Sequence, residues 1–476
     1  MYRLKTRAVL ASEIAAYLNK DLSGDDFSVE GPDALRTPRM LGRRGLPAIS
    51  GKPLLLITDK PPTAATRQVA GYLLSQAPEV DLAYVLREFF SIAPIHQIHP
   101  GARVDPEARS ARVEGGCLWG ELDRATSAFG MATPGGVVST TGVGGLTLGG
   151  GTGYLTRRHG LTIDNLLGAE VVLADGSTIH ASEDEHPDLF WALRGGGGNF
   201  GVVTEFEFRL HPVDVVIAGP TFFPLDRARE IAAWYRDFIL DAPEDLYGFL
   251  AFLSVPPVPV FPAALHGQKA CGIIWCWTGP ASRADEMFEP VKALRPSFFG
   301  VQAMPFPMLQ AMHDPLYPPG LQSYWRGDFF DSLSDEALDR HVEFARRMPT
   351  PLSTAHLYPI DGAAHRVDPR ATAFAYRESN FSQVVVGFDP DPANRKKITD
   401  WVREYSRAVH PYSAGGGYVN FLMGDEGGGR LQATYRDNLP RLMEVKRRYD
   451  AGNLFRFNHN IAPAPVTGPT ATPPQI

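Results

Sequence analysis

The sequence predicts an α+β protein of two domains, and three observations carry that expectation. A chain of 476 residues exceeds one ordinary domain, and 44% apolar residues are material for more than one core. Residues 134–203 form a glycine-rich stretch with the composition of a folded loop. Residues 213–430 alternate strand-like runs (FLAFLSV, CGIIWCWTG, SQVVVGF) with amphipathic helices such as RAREIAAWYRDFI and NRKKITDWVREYSRAV.

In chain order, MYRLKTRAVLASEIAAYLNKDL starts basic, but Ser12 and Glu13 interrupt its apolar run, so it reads as an amphipathic helix and not a leader. No segment approaches 18 uninterrupted apolar residues, which argues against a membrane span; a cytoplasmic protein is expected. RVDPEARSARVEGG predicts a hairpin turning at Asp105-Pro106. Gly120–Ser127 begins a helix with Leu122, Ala125 and Ala128 on one face. Further on, GAEVVLADGSTIHA predicts a hairpin around Ala174-Asp175-Gly176, and GVVTEFEFRLHPV a half-buried strand. The tail after Pro463 is rich in Pro and Thr, the composition of a disordered segment.

Nine of the twenty residues 134–153 are glycine, with Val, Leu and Thr between them and no linker-like Ser runs or charges. Glycine lets backbone N–H groups approach a bound anion closely, as a nucleotide cradle requires. The dinucleotide pattern G-x-G-x-x-G is absent: Gly142 and Gly144 are followed by Thr147, and Gly149 and Gly151 by Tyr154. Nicotinamide chemistry on a Rossmann turn is therefore not indicated.

Five motifs stand in order here: Pro134-Gly135-Gly136; Thr141-Gly142-Val143-Gly144-Gly145; Leu148-Gly149-Gly150-Gly151-x-Gly153; Gly160-Leu161-x-x-Asp164-Asn165; and Asp188-Leu189-Phe190-Trp191-Ala192 leading to Gly195-Gly196-Gly197-x-Asn199-Phe200-Gly201. Together they resemble the FAD-binding core of the berberine-bridge-enzyme-like oxidases of the vanillyl-alcohol-oxidase superfamily. A second resemblance to that family lies in Tyr418-Val419-Asn420-Phe421, Tyr435-x-x-Asn438-x-x-Arg441-Leu442 and the run from Lys446 to Ile461.

The resemblance implies a two-domain PCMH-type FAD-binding fold. Residues 1–212 would be the FAD domain, 213–430 an antiparallel-sheet substrate domain, 431–463 a segment returning to the FAD domain, and 464–476 a disordered tail. Pro134, Gly135, Gly136, Thr140, Thr141, Gly142, Gly144, Gly145, Gly149, Gly150, Gly151 and Gly153 would surround the diphosphate. Gly198, Asn199, Gly201, Val202 and Val203 would lie against the flavin or adenosine half. Asn458 and Asn460 suit polar contacts at the flavin edge, while Tyr435, Arg441 and Tyr449 suit packing. Asp164 and Asn165 fit either a nucleotide contact or a helix cap.

For catalysis, the resemblance carries a tyrosine over the flavin to Tyr418. A phenol works as a base only where a cation or donor such as Arg326 lowers its pKa, and an aromatic on the cavity wall is the other reading. Tyr324, in Gln322–Arg326, is a candidate pocket-lining group. FAD would accept hydride from a small alcohol, sugar or secondary metabolite, with O2 as the expected acceptor.

Residues 1–100 depart from the family. They lack its Arg-x-Gly-Gly-His motif, whose histidine bonds covalently to the flavin; His96 and His99 are the nearest substitutes, each either a linker or a loop-surface histidine. Thr63-Ala64-Ala65-Thr66 can be encoded so that a reading frame two nucleotides along gives Gly-Gly-His, which leaves a frameshift and a divergent lobe both open. Val138 stands where some members carry a second, cysteine link. Non-covalent FAD is therefore expected, either loosely held or weakly oxidising. The alternative is a degenerate flavin-fold binding protein without catalysis.

Other classes find little support. The net charge is −7, with 46 basic and 53 acidic residues and no basic cluster, which does not suit a nucleic-acid partner. Cys117, Cys271 and Cys276 have no metal-ligand spacing, so no metal is expected.

Overall fold

The structure, a computed structural model, describes residues 101–457 and 459–465, together with the backbone of four short strands further upstream. Of these, Tyr2–Arg3 pairs in parallel with Val29–Glu30, and Leu54–Thr58 with Leu82–Leu86. His96, His99, the Thr63 to Thr66 run, Asn458 and the tail beyond residue 465 lie outside the described residues. The fold is α+β and built on two antiparallel sheets.

The first sheet contains β1 (Ala102–Asp105), β2 (Ser110–Glu114), β3 (Leu166–Val172), β4 (Thr178–Ser182) and β5 (Val202–Arg209), in the order β1-β2-β5-β3-β4. Its hairpins turn where short polar side chains can bond their own backbone: Asp105 Oδ1 accepts from the N–H groups of Glu107 and Ala108, and Asp175 Oδ1 from Ser177. Along β5, Val203, Phe206 and Phe208 enter the core while Thr204 and Arg209 face out. The first helix, α1 (Trp119–Ser127), buries Trp119, Leu122, Asp123 and Thr126. Ala128, expected on the buried face, is instead an exposed cap residue, because the helix phase is set by Trp119 against Phe208.

The second sheet contains β6 (Val215–Pro224), β7 (Leu246–Ser254), β8 (Lys269–Trp277), β9 (Gln322–Phe330), β10 (Thr354–Pro359) and β11 (Phe381–Asp389), in the order β6-β8-β7-β10-β11-β9. Helices Ala228–Asp241, Ala284–Ala293, Asp335–Arg346 and Arg395–Val409 cover its outer face. Its inner face packs on Tyr154 and Leu155 at the end of the glycine stretch.

The chain then returns to the first unit. Tyr435, Leu442, Val445 and Ile461 share one core with Ala111, Trp119 and Phe206. The three cysteines are free and buried, and burial pushes the Cys117 thiol up to about 12. Among the described residues no cluster could hold a metal, and no helix is long and apolar enough to cross a membrane.

Candidate active site

The glycines of residues 134–153 do two different jobs. Gly150 and Gly151 adopt φ of 129° and 79°, which side chains rarely tolerate. Added Cβ atoms at Gly149 and Gly153 would stand 2.1 Å from Asn420 Oδ1 and 2.3 Å from the Gly135 carbonyl, so this half packs against protein. Gly135 and Gly136 likewise abut Trp119 and Leu146. At Gly142 and Gly145, by contrast, an added Cβ would meet nothing within 4 Å. Beside them, in the helical turn Val143–Leu148, no described residue accepts from the N–H groups of Gly144 and Gly145. Bare backbone with unpaired donors suits an electron-rich polar cofactor such as FAD. Thr140 is exposed next to this surface, and the Thr141 carbonyl is taken by Trp119 N–H.

Tyr418 comes to the packed half from the far end of the chain. Its hydroxyl accepts from Gly151 N–H at 2.7 Å and from Asn420 Nδ2 at 2.8 Å, and Asn420 also donates to the Leu146 carbonyl. Burial pushes the phenol up to about 12, outweighing the two donors.

Several other predicted residues are held by protein partners. Asp164 accepts from Leu161 N–H and forms a bidentate pair with Arg377, both contacts 2.7 Å. Asn165 donates to the His159 and Leu161 carbonyls and faces His211 Nε2 at 2.6 Å. Asp164 thus caps the turn at Leu161, and Asn165 braces His159 and His211. Asn199 donates to the His459 carbonyl and accepts from Ile461 N–H, while Lys446 Nζ bonds the Asn199 carbonyl and Asp450, which fastens the returning segment to residues 195–201. Gly201 abuts Val171, and Val202 and Val203 are paired in β5. Asn460 keeps a buried amide oxygen that no described residue satisfies.

Tyr324 is not brought to Tyr418. Side chains alternate across a strand, so a shift of one residue changes the face. Tyr324 lies in the outer, helix-covered core, where it donates to Asp425 Oδ2 and accepts from Arg403. Arg326 pairs with Asp425 and Glu426 and not with Tyr418. Trp325 is the residue of this strand that packs on the inner face. The sequence assigns no site role to the polar residues of that face: His356, which stands in a His356-Leu357 match to the family, and Tyr358 on β10, 2.7 Å apart, and Tyr154 with His313, 3.4 Å apart. The signal was present, since the i, i+2 spacing of His356 and Tyr358 puts both on one side.

Two buried ion pairs fix the sheets together. Arg157, just past the glycine stretch, binds Asp361 at 2.8 Å and the carbonyls of Ala242, Pro243 and Leu246. The Arg377 to Asp164 pair is the other.

Comparisons with known proteins agree with this architecture. A family described as "FAD binding domain" matches residues 97–182, and one described as "Berberine and berberine like" matches residues 417–462. An FAD-linked oxidoreductase of Dictyostelium discoideum is 30% identical over 366 residues, covering 76% of this chain and 77% of its own. The (R)-6-hydroxynicotine oxidase of Paenarthrobacter nicotinovorans is 28% identical over 76% of this chain and 79% of its own. The solved structure of xylooligosaccharide oxidase from Myceliophthora thermophila C1, in complex with xylobiose, shares the fold with a TM-score of 0.66 and 23% identity, covering 87% of this chain and 92% of that one.

Proposed function

The chain belongs to the berberine-bridge-like FAD-linked oxidoreductases, and we propose that it oxidises a small alcohol, sugar or secondary metabolite with O2 as final acceptor. The observation that carries this reading is the contact of Tyr418 with Gly151, which sets the returning segment against the glycine stretch beneath the inner face of the second sheet. FAD, when bound, supplies the hydride acceptor at its N5. The backbone of Gly142, Gly144 and Gly145 and the amide of Asn460 would hold its polar parts. Val138 offers no sulfur, in keeping with non-covalent binding. Tyr418 Oη, held by Gly151 N–H and Asn420 Nδ2, is the catalytic hydroxyl of this reading. The sheet above excludes water with Phe249, Tyr358 and Phe421.

Anaerobic mixing of the purified, flavin-loaded protein with a panel of primary and secondary alcohols, xylobiose and 6-hydroxynicotine tests this. At least one compound is expected to bleach the flavin, with colour returning on admission of air. A flavin that no member of the panel reduces would contradict the reading.

A further inference from the structure

Strand β9 is the last of the second sheet, and one of its edges pairs with no other strand among the described residues. The segment that carries Tyr418 covers that edge. Ala414 N–H donates to the Phe329 carbonyl at 2.7 Å, and Phe329 N–H donates to the Gly416 carbonyl at 3.2 Å. Carbonyls two residues apart on a strand point to the same edge. The next one along, that of Gly327, accepts from Arg430 Nη2 at 2.5 Å.

Arg430 comes from the helix Gly427–Tyr435, and only 12% of its side chain is exposed. The same guanidinium donates through Nη1 to the Gly415 carbonyl at 2.8 Å and through Nη2 to Asp328 Oδ1 at 2.6 Å. Asp328 is buried, and His410 Nδ1 lies 3.0 Å from its Oδ1. Gly417 passes so close that an added Cβ would stand 2.8 Å from the Gly327 carbonyl and 2.9 Å from Arg430 Nη2. The next residue is Tyr418, whose hydroxyl reaches Gly151. The planar fork of Arg430 thus holds the strand edge on one side and the turn before Tyr418 on the other.

We propose that Arg430 is a positioning residue for Tyr418, an inference that rests on the oxidase reading above. A buried ion pair gains little stability over an apolar contact of the same volume. What Arg430 and Asp328 add is a fixed distance between β9 and the turn at Gly415, and that distance sets where the Tyr418 ring leaves the sheet. Gly151 N–H and Asn420 Nδ2 hold the hydroxyl, so the ring is fixed at both ends. Arg430 bonds the backbone ahead of Tyr418 and the strand beside it, and acts on the reaction only through the place it gives the phenol. A displacement of about 1 Å in a reacting group costs about 100-fold in rate. A lysine does not replace this side chain, because an ammonium is a point charge where the acceptors stand in fork geometry.

The test uses the full chain with Arg430→Ala and Arg430→Lys. Flavin absorbance of each purified variant reports fold and cofactor; both are expected to match the parent. With whichever panel member bleaches the parent flavin, the limiting rate in R430A is expected to fall by about 100-fold, with little change in apparent substrate affinity. Guanidinium chloride at a few millimolar, far below denaturing concentrations, should restore most of that rate in R430A and leave the parent unchanged. In protein labelled with 13C at the tyrosine Cζ, the Tyr418 resonance, assigned by its absence in Tyr418→Phe, should shift in R430A and return with guanidinium. Where R430A does not fold, R430K carries the test, with a lowered limiting rate and a shifted Tyr418 resonance expected. A parental rate, an unmoved resonance, or a rate loss in R430A that guanidinium does not restore would overturn the positioning role and leave the oxidase reading standing. Failure of every panel compound to bleach the parent flavin would overturn both.

Discussion

Tyr418 Oη lies 2.7 Å from Gly151 N, a bond between residues 267 apart that ties the returning segment to the glycine stretch. Tyr418→Phe removes the acceptor for Gly151 N–H and for one Asn420 amide hydrogen, leaving buried donors unpaired. A destabilisation of about 1–3 kcal/mol is expected. Urea unfolding should show a lower midpoint with an unchanged slope, and FAD should dissociate more readily.

The buried and exposed ion networks should respond differently. Arg157→Met strands Asp361 and three carbonyls, for a loss of about 3–5 kcal/mol. Arg403→Met removes an exposed contact to Asp425 and one to the Tyr324 hydroxyl, and should lower stability far less. Equal losses in chemical denaturation would show that burial does not separate the two networks.

Asp123, buried on α1 near Gln310 and Asp314, is pushed up to about 7, mainly by burial. The folded state thus favours the protonated acid. That contribution is whole below the unfolded value near 4 and is lost as pH rises through 7, at most on the order of 4 kcal/mol. Asp123→Asn should be more stable than the parent at pH 8 and close to it at pH 4, as read from denaturation midpoints.

His159 and His211 stack with centroids 3.8 Å apart, and burial lowers them to about 3 and 4. Both are neutral in the fold. Their contribution is present above the unfolded value near 6.5 and is lost as pH falls toward 3, on the order of 1–2 kcal/mol each by pH 5. The double variant His159→Asn with His211→Asn should flatten the stability curve between pH 7 and 5.

Much of this was legible in the sequence. Asp105 and Asp175 announced their hairpins, Val203, Phe206 and Phe208 their strand, and the glycine motifs their family. What was not legible depended on phase and on distant partners. Tyr324 and Trp325 are equally aromatic, and only the pleat of β9 decides which one faces inward. Asp164 is held by Arg377, 213 residues away, a partner that no local pattern announces. His356 and Tyr358 gave the right spacing, but their neighbour Phe249 comes from another strand.

The absorbance spectrum of the purified protein, taken before and after acid precipitation, tests the central claim most directly. A flavin spectrum whose colour moves to the supernatant is the predicted result, for a protein that holds FAD without a covalent bond. A yellow pellet would contradict the non-covalent assignment, and a folded, colourless protein that takes up no added FAD would contradict the flavoenzyme itself.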